Sequence, residues 1–411
     1  MLQGSSVGKY GIKTRRIGMK KIIASTVGLM ILGGAGSAFA VEHEFGGYWR
    51  TRLFVQDEMN DDGSYSRIDN RTRLYYTAKF DENFKFVNKF EFNSTWGDDE
   101  GGDIGADGDT FVIKNSYADF TLGSVNTKLG IQSALLARGF LFDADFSGVV
   151  VTPQFGNISL PVGYIAVQSE DGGDADFDEA IGFIKGDIKV NDNMSVAPYF
   201  AYWDASVGTD NDDLEVGDYS TYYLGADFDL KLDVGSLWGT FIYNGGEYEG
   251  GDVNGFLVAA GANMGIAHGQ AFYATGDDDD SDDDTDAFLS SPGQSYYWSE
   301  IMGLGIFDNT ASSSSCGDAI SNVAALNGGI TLVPMDKMTL TGDVWYAMLA
   351  EEDDDGEDEL GLEFNGKLSY ALMDNLTADF VLAYLVAGDA TGDATGDDDI
   401  FEGGVRLSLK F

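Results

Sequence analysis

Cysteine, histidine and proline are nearly missing from this chain of 411 residues, which holds one, two and five of them. The single Cys316 rules out an intrachain disulfide framework, and without a Cys-x-x-Cys-His motif the chain attaches no c-type haem of its own. His43 and His268 stand alone, so no histidine-based catalytic site can be assembled, and the four serines at 312–315 read as loop rather than as a nucleophile motif. No enzymatic activity is expected. Basic residues are scarce too: 24 Lys and Arg against 69 Asp and Glu leave a net charge of -45. A phosphate-binding surface needs clustered Lys and Arg, which excludes nucleic acid and makes cations the natural partners. Beyond residue 40 there is no run of about 18 apolar residues, so no helix of the mature chain is expected to cross a membrane.

What is abundant is aromatic side chain and glycine, with 27 Phe, 20 Tyr, 6 Trp and 55 Gly. So much apolar surface in so acidic a chain argues against a disordered polyanion. Met19-Lys20-Lys21 precedes an apolar stretch over 22–36 and then Ala38-Phe39-Ala40, the small-x-small pattern of a signal peptidase site. Residues 1–40 are therefore expected to be a signal peptide with an N-terminal extension, and 41–411 the exported domain. Thr14-Arg15-Arg16 only faintly suggests a twin-arginine signal, and a chain assembled in its target membrane should be exported unfolded.

The mature chain repeats segments of about 9 to 13 residues with a period of two, the length and rhythm of tilted membrane strands. Over 45–55, Phe45, Gly47, Trp49, Thr51, Leu53 and Val55 share one face, and Tyr48, Arg50, Arg52 and Phe54 the other. The same split recurs over 67–80 and 84–96, with Phe and Trp opposite charge, which a soluble sandwich would rarely show. Short turns recur at Asp81-Glu82-Asn83, Asn191-Asp192-Asn193, Met335-Asp336-Lys337 and Met373-Asp374-Asn375. Long polar loops fall near 57–66, 97–111, 134–147, 170–179, 207–218, 246–252, 276–321, 351–359 and 389–399. Short turns at one end and long loops at the other predict an all-β, transmembrane, antiparallel up-and-down β-barrel, its turns periplasmic and its acidic loops external. Nine loops imply about 18 strands, or 16 if 127–150 divides differently, and the apolar stretch 295–307 is a candidate extra hairpin.

The last segment, 400–411, alternates and ends on Phe411. Here the chain resembles bacterial outer-membrane porins. That resemblance implies an integral outer-membrane location, Phe411 as the signal read by the barrel-assembly machinery, and assembly as a homotrimer. Tyr48-Trp49-Arg50-Thr51-Arg52, Arg71-Thr72-Arg73-Leu74-Tyr75-Tyr76 and Ala137-Arg138-Gly139-Phe140 are similar, more narrowly, to porins of metal-reducing deltaproteobacteria.

Charge sorts by this map. The nine loops hold about 50 of the 69 acidic residues and one basic residue, Arg138. The densest runs, 277–280, 282–284 and 351–355, repel themselves unless salt or divalent cations intervene. A solvated negative coat is one reading, and Ca²⁺ or Mg²⁺ at Asp278, Asp280, Asp282, Asp284, Asp353 and Asp355 the other. Glu351, Asp353, Asp355 and Gly356 begin like a calcium-binding hand, but the twelfth position is Leu362 and the motif fails. No other cofactor is expected.

Eleven of the 18 basic residues of the mature chain lie between Arg50 and Arg138. Arg50, Arg52, Arg71 and Arg73 fall on inward faces of neighbouring strands, where cross-strand spacing stacks their guanidinium groups. The porin resemblance implies that 134–147 folds into the barrel as the third external loop, so that Arg138, Asp143 and Asp145 join these arginines at a pore constriction. The alternative is that the arginines only neutralise Asp69, Glu91 and Asp119 in the wall. The expected function is passive diffusion of small hydrophilic solutes and ions through an outer-membrane porin whose acidic vestibule attracts cations at low salt. Two other readings are the barrel sheath of a porin–cytochrome electron conduit, against which a packed 134–147 argues, and a divalent-cation-binding surface protein.

Overall fold

The computed structural model describes residues 41–411 apart from 58–62, 100, 106–110, 169–178, 206–218, 249, 278–282, 309–319, 354–355 and 392–398. The expected signal peptide, and Asp278, Asp280, Asp282 and Asp355 of the expected cation ligands, lie outside the described residues.

Long strands with an apolar and a polar face satisfy every backbone group in a bilayer only if their sheet closes on itself. This one does. The strands are β1 (Glu42–Asp57), β2 (Tyr65–Asp81), β3 (Phe84–Thr95), β4 (Phe111–Leu122), β5 (Val125–Leu136), β6 (Phe142–Phe155), β7 (Ile158–Ser159 and Val162–Gln168), β8 (Glu179–Lys185 and Asp187–Lys189) and β9 (Met194–Ala205). They continue as β10 (Tyr219–Leu232), β11 (Gly235–Tyr248), β12 (Gly251–Met264), β13 (Ala267–Ala274), β14 (Val323–Met335), β15 (Met338–Leu349), β16 (Glu359–Met373), β17 (Leu376–Ala387) and β18 (Ile400–Lys410). Each pairs antiparallel with its neighbour, and β18 pairs with β1 from Tyr48↔Lys410 to Asp57↔Phe401, closing an eighteen-stranded barrel. Two strands are interrupted. Pro161, with no N–H to give, breaks β7, and β8 breaks at Gly186, which gives its N–H to the Pro198 carbonyl at 2.8 Å but receives none back from that proline.

Outward positions such as Phe45, Leu53, Leu129, Leu224, Phe241, Leu326 and Leu382 are exposed apolar side chains, as lipid requires. Facing inward are Arg50, Arg52 and Phe54 on β1, with Arg50 opposite Arg71 and Arg52 between Asp69 and Arg406. The C-terminal Phe411 is pinned to β1 by its N–H to the Gly47 carbonyl at 3.1 Å and by the Gly47 N–H to its own oxygen at 2.7 Å. Any side chain at position 47 would run into the Phe411 ring and the Arg73 carbonyl, so glycine is required there.

Three details differ from the sequence reading. The connection read as a long loop at 246–252 is a tight hairpin between Tyr248 and Gly251, closed by Gly250 at φ +96°. The third loop is shorter than 134–147, because β5 and β6 continue to Leu136 and from Phe142, leaving a five-residue tip. The stretch 295–307 adds no hairpin; it is irregular backbone packed inside the barrel.

The wall also has a seam. β5 pairs with β4 only up to Ile131↔Ser116, just beyond Gly130 at φ +127°, and then leaves it while remaining paired with β6. Lys114 Nζ and Asn115 Nδ2 bridge the gap to the Asp145 carboxylate at 2.9 and 2.8 Å.

Candidate functional site

Two loops meet inside the lumen. The tip of the β5–β6 hairpin holds three consecutive left-handed residues, Ala137 (φ 50°), Arg138 (φ 58°) and Gly139 (φ 97°). Two of them carry a Cβ, so this turn costs free energy and persists because its surroundings hold it. Arg138 reaches across to β10 and β11, pairing with Asp229 at 2.9 Å, donating to the Phe228 carbonyl at 3.2 Å and Thr240 Oγ1 at 3.2 Å, and lying 5.1 Å over the Trp238 ring. Phe140 beneath it stacks on Tyr296 with centroids 3.7 Å apart.

Tyr296 belongs to the long loop between β13 and β14, whose described residues 287–308 cross the barrel interior. The crossing starts at Phe288, fully buried against Tyr223 of β10. It then runs beside the hairpin tip: the Asp143 N–H donates to Gly293 O at 2.9 Å, the Ser295 N–H to Gly139 O at 3.2 Å, and Ser291 Oγ to Leu141 O at 2.5 Å. Trp298 packs edge-on against Phe272 of β13 and Trp345 of β15, centroids 5.3 and 5.1 Å away.

Next the loop turns back as a hook seated on Glu363 of β16. The fully buried Glu363 carboxylate accepts the backbone N–H groups of Glu300, Ile301 and Met302 at 2.9, 3.0 and 2.8 Å. Glu300 closes the hook from within by accepting the Ile306 N–H at 2.7 Å. The far end is latched to β1: Phe307 stacks on Phe54 at 4.9 Å, the Ile306 carbonyl accepts from Arg52 Nη1 at 3.1 Å, and Asp308 takes Arg50 at 3.1 Å and Arg52 at 2.6 Å. Hairpin tip and long loop thus form an internal partition anchored from β10 to β1.

Burial pushes the Glu300 carboxyl above its ordinary range, against the lowering effect of its hydrogen bond to Ile306 and of nearby Lys367. A carboxyl that is raised on docking favours the docked state fully below the ordinary carboxylate range. That advantage falls as pH rises from the ordinary value to the raised one and is then gone. Channel noise from the loop should accordingly grow over that interval in single-channel recordings, and Glu300→Gln should weaken the dependence; an unchanged pH profile in the variant would refute the assignment.

The expected site residues separate into three groups. Arg50 and Arg52 are buried beneath Asp308. Arg52 also clamps Asp69 with two bonds, at 2.9 and 2.5 Å. Arg71 and Arg73 share Glu91 at 3.4 and 2.5 Å, so the arginines do take wall carboxylates as partners, while Asp119 is left to Lys85 at 3.2 Å. Asp143 and Asp145 are not brought to these arginines: among the described residues Asp145 is bound by Lys114 and Asn115, and the Asp143 carboxylate has no ion pair. The loop carboxylate that meets Arg50 and Arg52 is Asp308, which sequence reasoning missed. The signal available for it was apolar 295–307 inside an otherwise acidic loop.

Of the two expected cation ligands that are described, Asp284 accepts the Asp252 N–H and Asp353 the Glu357 N–H, both serving as backbone caps. Among the described residues no group of three or more His, Cys, Asp or Glu could hold a metal ion.

No family model and no curated protein matches the chain. Solved structures do. OccK1 (OpdK) of Pseudomonas aeruginosa superposes with TM-score 0.60 at 11% identity, covering 90% of this chain and 98% of its own. OccAB4 of Acinetobacter baumannii gives TM-score 0.59 at 12% identity over 92% and 100% of the two chains. The outer membrane protein OprD of Pseudomonas aeruginosa gives 0.57 at 16% identity over 92% and 96%. The chain therefore shares with these proteins the fold of a closed, eighteen-stranded antiparallel barrel.

Proposed function

We propose that the protein is an outer-membrane diffusion channel for small hydrophilic solutes and ions, narrowed by the internal partition and lined on the opposite wall by arginine. The supporting observation is which member of each ion pair faces the lumen. On β2 and β3 the side chains of Arg67, Arg71 and Arg73 are 32, 27 and 29% exposed, whereas Asp69 and Glu91 are 9 and 8% exposed. With Arg50 and Arg52, five guanidinium groups stand against three carboxylates, Asp69, Glu91 and Asp308. The wall is positive although the chain is strongly negative, and anionic groups of a passing solute find a foothold there. The acidic loops act earlier, concentrating cations at the mouth at low salt.

Reversal potentials across a salt gradient test this. Arg71→Ala combined with Arg73→Ala should raise the cation-to-anion permeability ratio severalfold, with an effect that shrinks at high salt. No conductance from pure, folded protein would sink the proposal. A sheath around a multihaem partner is disfavoured because the partition occupies the space such a partner needs. Recognition of Phe411 by the assembly machinery, homotrimer formation and loop-bound Ca²⁺ or Mg²⁺ belong to the same proposal. The narrower likeness to porins of metal-reducing deltaproteobacteria rests on the three sequence segments alone.

A further inference from the structure

Behind the partition lies a cavity of about 470 Å³, a size typical of small-molecule sites. Its roof is 297–300 and 305–306 of the long loop, and its walls come from β11 to β16 and β18.

The chemistry of this lining differs from that of the arginine wall. Four carboxamides, Asn263, Gln270, Asn327 and Asn365, line it, and each presents an acceptor oxygen and two donor hydrogens. Part of that capacity is used internally: Gln270 Oε1 accepts from Tyr296, and Asn327 Nδ2 donates to Asp343 at 3.2 Å. Part is left over. Asn365 Oδ1 is buried with no partner, and Asn263 and the Gln270 amide nitrogen make no hydrogen bond among the described residues. Ligands that use leftover donors and leftover acceptors together are hydroxyl-rich, because a hydroxyl both gives and takes. A carboxylate could only accept, leaving the Asn365 oxygen stranded, and an ammonium could only donate.

Most charges of the cavity are spent. Asp343 is held by His268 Nε2 at 2.7 Å and Arg406 by Asp379 at 2.8 Å. Lys367 is the one cation of the lining without an ion pair among the described residues, against a field of four carboxamides. Finally, the Tyr297 ring in the roof is 57% exposed and makes no ring contact among the described residues, while Tyr296 and Trp298 on either side are packed. An aromatic face kept free over a field of amides stacks with the C–H face of a sugar ring.

We infer that this cavity is a binding site for an uncharged saccharide or polyol on the diffusion path, a reading that rests on the proposed channel function and names one solute class for it. The arginine wall and the cavity would then serve solutes of different charge in one lumen.

The test uses glucose and glucuronate, which share a ring and differ by a carboxylate, with the full-length protein in planar bilayers and in detergent. Glucose should interrupt the single-channel current, and Tyr297→Ala should shorten those interruptions by about tenfold. Asn263→Ala, which removes no packed ring, should shorten them as well. Glucuronate interruptions should ignore both variants and respond to Arg71→Ala instead. In detergent, glucose should change the tryptophan fluorescence of the wild type and not that of Tyr297→Ala, with folding of each variant checked by its heat-dependent gel mobility. Current without glucose interruptions and without a fluorescence response would overturn the site while leaving the channel standing. A fluorescence response without current would support the site and remove the channel. Glucuronate acting through Tyr297 and Asn263 as strongly as glucose would overturn the assignment to uncharged ligands.

Discussion

Glu363→Ala is expected to widen the channel more than any other single substitution in the lumen. One carboxylate accepts from three consecutive backbone N–H groups at 2.8 to 3.0 Å. Removing it takes that acceptor away from all three inside the docked loop, and a buried donor that loses its partner costs about 1–3 kcal/mol. The cheaper course is for the hook to leave its seat and hydrate. Because the barrel is held by its own ladders, it should survive the loss of the hook. The expected record is a severalfold larger, noisier conductance with unaltered heat-dependent gel mobility. Glu363→Gln, which retains one acceptor oxygen, should fall between. A variant with wild-type conductance would mean that the loop's other anchors, its aromatic contacts and the Asp308 ion pairs, suffice to hold it.

The second large effect is expected at Arg52, with the opposite consequence. Arg52 joins two carboxylates of different standing: Asp69 is a buried wall residue, and Asp308 is a loop residue 31% exposed at its side chain. Arg52→Ala strands Asp69 without its bidentate partner, and breaking a buried pair from one side costs about 3–5 kcal/mol. Thermal or urea unfolding of the barrel should register that loss. Asp308→Asn leaves Arg52 with Asp69 but takes from the buried Arg50 its one ion pair among the described residues, while keeping an acceptor oxygen there. Its effect should appear as a looser loop and a reversal potential shifted towards anions, with a smaller loss of barrel stability than Arg52→Ala causes. Equal destabilisation by the two substitutions would contradict this division of labour.

The wall was readable from the chain because every strand meets two solvents, lipid and water, and records both in alternate residues. On β1 the alternation of Leu53 and Val55 with Arg52 and Phe54 carries the register without any partner strand. The hairpin tip was readable for a related reason: Phe140, Leu141 and Phe142 in a polar connection have to be covered by something. The long loop was not. Its anchors are single contacts between residues far apart in sequence, Met302 with Glu363 and Asp308 with Arg52, and no periodicity announces a carboxylate that caps a backbone turn 61 residues away. Nor did Asp143 and Asp145 disclose their orientation, because the departure of β5 from β4 turns on the backbone at Gly130 and changes which face a carboxylate presents. A sign of the partition was nevertheless present on β12, where inward Leu257 and Ala259 alternate with outward Phe256 and Val258. A strand that is apolar on both faces has lipid on one side and must have protein on the other.

The place where β5 parts from β4 gives the molecule something a closed barrel otherwise lacks, a free strand margin. From Phe111 to Asn115 the β5-facing side of β4 has no ladder partner among the described residues, and such a margin can template the addition of a foreign strand. Soluble β-proteins discourage this with irregular backbone and lysine along their margins. The same two devices occur here: the register of β4 slips between Lys89 and Phe90, and Lys114 sits at the slip. Its ion pair with Asp145, at 2.9 Å, lies across the unpaired margin, so a strand added there would have to displace it.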